Sequence, residues 1–152
     1  MTVDARLLVS DAQAVTTTAV STDAIPLGLA GLDIGAGEPV GFAFHIDVTA
    51  LVAGTETYSF QVIGATASNL TSGQVILAER EFTTAQAAAL TAGTRFILPV
   101  PVASLNASSI THIGARYETA NSAGVTVTAY LTPLAAADER NVTVRSGFSV
   151  AS

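Results

Sequence analysis

The chain contains no cysteine, no tryptophan and no lysine. Without cysteine it has no disulfide framework, no thiolate metal site and no cysteine nucleophile, which suits assembly in a reducing cytoplasm. Charge is scarce too: 12% of the 152 residues are charged, against about 25% in an average soluble domain. The six basic residues are all arginine and scattered (Arg6, Arg80, Arg95, Arg116, Arg140, Arg145), and the net charge is −6. Nucleic-acid binding needs clustered cations to displace phosphate counterions, so no nucleic-acid partner is expected. Six Phe and three Tyr are all the aromatics present, a poor supply for a sugar-stacking platform.

Long unbroken apolar runs are also missing. The charge-free stretches Thr57–Ala78 and Thr119–Ala137 are interrupted by Ser, Thr, Asn, Gly or Pro and alternate like strands, so no membrane span is expected. The N-terminal MTVDARLLVSDAQA carries Asp4 where a signal peptide has positive charge, and its apolar core, Leu7–Val9, is too short. No secretory leader is expected.

What is present is alternation. Val40, Phe42, Phe44, Ile46 and Val48 share one strand face, with Gly41, Ala43, His45 and Asp47 on the other. Tyr58, Phe60 and Val62 alternate with Thr57, Ser59 and Gln61; Val125, Val127, Ala129 and Leu131 alternate with Thr126, Thr128 and Tyr130; Val142, Val144, Phe148 and Val150 share a face near the C-terminus. Each pattern suits a strand with one face on a core and the other outward. Weaker strands are expected at Gln13–Val20, Ala24–Leu29, Gln74–Phe82, Thr94–Val102 and Ile110–Glu118. About nine short strands separated by Gly, Asn, Ser and Pro clusters predict one all-β domain over 1–152, a sandwich or barrel. One helix is expected at Thr84–Ala92, with Thr83 and Gln86 as a capping box and Gly93 closing it. Pro99 and Pro101 mark their strand as an edge.

The low charge has two readings: a small-residue β-protein coated with Ser and Thr, or a surface buried against other copies or a larger assembly. Catalytic chemistry is thinly supplied. His45 and Asp47 share a strand face, a pairing able to orient a base or hold a metal, but no third ligand stands at a suggestive spacing. His112 is likewise without partners. Glu79 and Glu81 lie on one side of a strand, nearly parallel rather than facing across a cleft as a glycosidase requires, so ion pairs between strands or subunits are the better reading. Asp33-Ile-Gly-Ala-Gly-Glu38 lacks the oxygen ligands of a calcium loop and reads as a turn. No enzyme, metal or cofactor is expected.

The blocks LLVSDAQAV (7–15), VST (20–22), IPLG (25–28), DIGAGEP (33–39) and ALTAGTRFILPVP (89–101) together resemble the small capsid cement (decoration) proteins of tailed bacteriophages. The resemblance implies a jelly-roll or related β-sandwich and a homo-oligomer, dimer or trimer, made in the host cytoplasm. Such a protein sits on the exterior of an icosahedral capsid and clamps neighbouring major capsid proteins. On this reading the anchoring parts are an N-terminal docking arm within residues 1–13, with Asp4, Arg6 and Leu7, and the turn carrying Asp33, Glu38 and Pro39. The competing reading of the arm is a first strand of the protein's own sheet. A tail or fibre module and a carbohydrate-binding jelly roll are the alternative functions.

Overall fold

The computed structural model describes residues 7–27, 39–100, 110–121 and 123–134. They form nine strands: β1 (Leu8–Val15), β2 (Ala19–Val20), β3 (Ile25–Pro26), β4 (Val40–Val48), β5 (Thr57–Ala65), β6 (Val75–Phe82), β7 (Arg95–Pro99), β8 (His112–Ala120) and β9 (Val125–Pro133), with one short helix, α1 (Thr84–Ala87). Sheet A has the order β1-β9-β4-β7, and sheet B the order β2-β8-β5-β6, with β3 also on β8. Every pairing is antiparallel. Because β2 and β3 both lie along β8, they fill the place of one strand and each sheet is effectively four strands wide. The chain changes sheet at every connection except β2–β3 and the β5–β6 hairpin, which is jelly-roll connectivity.

The expected all-β sandwich is therefore what the chain forms. The capping box at Thr83 and Gln86 is present, although α1 is only one turn long before the chain loosens toward Gly93, whose φ is +93°. Strand β7 is an edge, as Pro99 requires. Among the described residues no helix is long and apolar enough to cross a membrane. The expected strand through Val142–Val150 lies outside the described residues.

Three expectations are corrected. Residues 13–20 are not one strand: β1 ends at Val15, and the chain turns through Thr16–Thr18 to reach sheet B as β2. Val48 does not join the core face of β4 but is 57% exposed. A register shift between Ile46 and Val48 against β9 changes which face the next residue takes. The outward face of β5 is buried, not solvated: Ser59, Gln61, Ile63 and Ala65 are all below 9% exposed. Leu70, from the loop after β5, folds back onto Ile63 and Ala65 to form a second small core outside sheet B.

Between the sheets sits an aromatic cluster. Phe44 and Phe96 come from sheet A and stack at 5.3 Å. Phe60, Phe82 and Tyr117 come from sheet B, and Phe60 lies at the centre, 5.1 Å from Phe96, 5.7 Å from Phe44 and Phe82, and 6.0 Å from Tyr117. Most of the chain's aromatics are thus spent inside the sandwich. Burial pushes the Tyr117 phenol up, partly offset by its hydrogen bond with Ser10 at 2.7 Å, so it stays neutral in the core.

The loop between β4 and β5 is organised by a buried carboxylate. Glu56 Oε2 accepts the backbone N–H groups of Ala53, Gly54 and Thr55 at 2.7, 2.9 and 3.1 Å. Its own backbone N–H, against the opposing effect of burial, and then those three donors hold its carboxyl below the ordinary value of 4.5. A depressed folded-state pKa contributes stability that is complete above the unfolded value and is lost as pH falls through the folded one. Urea melts between pH 7 and 3 should therefore show wild-type stability falling below about pH 4.5, with a shallower fall in Glu56→Gln. Identical slopes would show that the carboxylate does not hold this loop.

Candidate functional site

Of the residues expected to make contacts, Asp4, Arg6, Asp33 and Glu38 lie outside the described residues. Leu7 is half-buried and packs against the core, immediately before β1. Pro39 is exposed, and its carbonyl accepts the Leu134 N–H at 2.8 Å. Strands β1 and β4 both run antiparallel to β9, which lies between them, so Leu7 and Pro39 mark the same end of sheet A. Residues 8–13 of the arm are strand in the protein's own sheet, paired with β9.

On the outer face of sheet A, His45 Nδ1 lies 3.0 Å from Asp47 Oδ1, and Thr128 Oγ1 donates to Asp47 Oδ2 at 2.6 Å. Both carboxylate oxygens are engaged, and the three residues form a cross-strand polar patch. His112 Nδ1 lies 2.9 Å from the Thr111 hydroxyl. Among the described residues no group of three or more His, Cys, Asp or Glu is placed to hold a metal ion.

The most developed polar arrangement is on the outer face of sheet B. Register aligns the side chains there in rows across the strands. One row is Glu79–Gln61–Arg116 and the next is Glu81–Ser59–Glu118. In the first, Glu79 Oε1 accepts from Ser59 Oγ at 2.7 Å and Gln61 Nε2 at 3.0 Å. The Arg116 guanidinium reaches Gln61 Oε1 at 3.4 Å and Glu118 at 2.8 Å. The Ser59 hydroxyl first, then the Gln61 amide and the Arg116 charge, hold the Glu79 carboxyl below its ordinary range.

The second row contributes no cation: Arg116 of the first row bridges to Glu118, and Glu81 has no ion-pair partner among the described residues. Ser59 is short and leaves a groove of about 270 Å³ between Glu81 and Glu118, with Glu79, Thr57 and Thr18 along its walls. A second depression, about 190 Å³, lies beside α1 and is lined by Arg80, Glu81, Phe82, Gln86 and Ala89. The two share Glu81. The sequence pattern identified Glu79 and Glu81 as neighbours on one face; the approach of Glu118 from β8 depends on long-range register and had no local signal.

Strand β6, which separates these depressions, is an edge of sheet B among the described residues. Val75 and Ile76 at its start are 40% and 48% exposed, and Glu79, Arg80 and Glu81 are exposed farther along. The arrangement offers a peptide backbone, an apolar end and an acidic end.

The family model described as Bbp16 matches residues 9–121, from within β1 to the turn after β8. No curated protein matches the chain. With well over half of its length covered by that model, the chain belongs to the Bbp16 family, a phage-associated family of domains.

Proposed function

We propose that this protein is a structural virion component that binds the outer surface of an icosahedral phage capsid. There it stabilises the shell by bridging neighbouring major capsid proteins. The observation that carries the reading is the Bbp16 match, which spans eight of the nine strands of a jelly-roll sandwich. The charge-poor composition and the acidic, open edge of sheet B fit a module whose working state is bound to other protein surfaces.

The mechanism is mass action. A protein that binds the assembled shell and not its dissociated parts stabilises the shell by its binding free energy, about 2.7 kcal/mol per site at one hundred times Kd. Linked copies increase this through effective concentration. The partners are the major capsid protein and further copies of this chain, and no cofactor takes part.

Purified protein added to expanded shells that lack it should bind in hundreds of copies per particle and raise the temperature at which the shell disrupts. The rise should grow with protein concentration. Failure to bind shells, or a dozen or fewer copies in the intact particle, would overturn the proposal; the second result would assign the protein to the tail.

A further inference from the structure

An exposed strand edge presents unpaired N–H and C=O groups and is a template for another strand. This fold obstructs its other edges. Along β1, the Val9 carbonyl accepts the Asp23 N–H at 2.9 Å and the Thr22 hydroxyl at 3.1 Å, and the Gln13 side chain bridges to Val20 and Thr22. Strand β7 ends in Pro99, while β2 and β3 are two residues each. Strand β6 is eight residues long, contains no proline, and receives no hydrogen bond on its outer side from any described residue.

Charged side chains are one device for keeping an edge unpaired, but those of β6 are directed away from the edge. The Arg80 guanidinium lies over the rings of Phe82 and Phe96, 4.9 and 5.1 Å from their centroids. Glu79 is bound across its own sheet by Ser59 and Gln61. Glu81 lines the groove and has no ion-pair partner among the described residues, whereas Glu118 on the opposite side is bridged by Arg116 at 2.8 Å.

A second copy of β6 is a poor occupant. In an antiparallel ribbon of two copies with their outer faces aligned, paired residues share a face. Arg80 stands on the opposite face from Glu79 and Glu81, so no register of that ribbon sets it against either carboxylate. The cation must come from a different sequence.

We infer that β6 accepts an extended segment of the shell protein as an added antiparallel strand, and that this segment places an Arg or Lys side chain beside Glu81 in the Glu81–Ser59–Glu118 groove. The apolar half of the same segment covers Val75 and Ile76. This rests on the capsid-binding reading above and names the surface that performs it.

The test adds wild-type protein, Glu81→Gln and Glu81→Lys to expanded shells lacking the protein. It measures occupancy against salt concentration, and amide hydrogen exchange across residues 75–82 in free and bound protein. Wild-type binding should slow exchange at alternate β6 amides. Glu81→Lys should bind about tenfold more weakly or worse, because it sets like charges together, with Glu81→Gln between the two and a flatter salt dependence. Glu81 is an exposed side chain, and unchanged melting temperatures of the free variants would separate lost binding from lost folding. If wild-type protein fails to bind, the capsid reading falls and this inference with it. If wild-type protein binds while Glu81→Lys binds equally and β6 exchange is unchanged, the inference alone falls. Concentration-dependent protection of β6 in free protein would overturn it in favour of self-pairing.

Discussion

Phe60→Ala is expected to lower unfolding stability by about 3–5 kcal/mol, the usual cost of emptying a buried aromatic site. Phe60 is 1% exposed and projects from β5 into the centre of the aromatic cluster, in contact range of Phe44, Phe82, Phe96 and Tyr117. These four neighbours come from four strands of both sheets, so they cannot collapse together into the void without moving the sheets themselves. At about 2–4 °C per kcal/mol for a domain of this size, the melting temperature should fall by roughly 6–20 °C. Phe60→Leu, which leaves most of the volume filled, should cost much less. Urea and thermal melts of the three proteins check this; a Phe60→Ala loss below about 1 kcal/mol would mean the site is loosely packed.

Tyr58→Phe should cost about 1–3 kcal/mol, although it removes one oxygen and no carbon volume. The Tyr58 hydroxyl donates to the Leu51 carbonyl at 2.6 Å, with the Gly124 carbonyl as a second acceptor at 3.1 Å, and accepts the Gly124 N–H at 3.0 Å. Leu51 N–H donates to the same Gly124 carbonyl at 2.8 Å. One phenol therefore ties the β4–β5 loop to the β8–β9 turn at the end of the sandwich. Burial raises its pKa, which keeps it a donor in neutral solution. The substitution takes a partner from the Leu51 carbonyl and the Gly124 N–H, which are only partly shielded from water, and unsatisfied groups cost more than the net gain of the bond. Faster hydrogen exchange at Gly124, with the aromatic cluster still protected, would separate this local opening from global unfolding. An unchanged Gly124 rate would show that the hydroxyl is dispensable.

How far the sequence can be read depends on the range of the interaction. Strands β4, β5 and β9 were legible because a half-buried strand writes a period of two into its own residues. The Thr83–Gln86 capping box was legible because its partners are three residues apart, and the edge at β7 because proline removes a ladder donor. Val48 escaped because a one-residue register shift reverses the facing of the residues beyond it. Gln61 and Ser59 read as solvated outer-face residues because nothing nearby in sequence shows that Leu70 will cover the adjacent stretch of β5 or that Glu79 and Arg116 will lie across them.

The candidate surface divides in the same way. Glu79 and Glu81 on one face of β6 followed from the sequence alone, since alternate residues on a strand share a side. That Glu118 stands across Ser59 from Glu81, with no cation in their row, was decided only when β6, β5 and β8 came into register across distant stretches of the chain. So too was the openness of β6 among the described residues. Composition and alternation determined that this chain would be an all-β, charge-poor sandwich or barrel with a strand through residues 74–82. Which strand edges were closed off and which was left open was settled by tertiary pairing, because an edge is defined by the neighbours a strand lacks, and those neighbours are far away in the sequence.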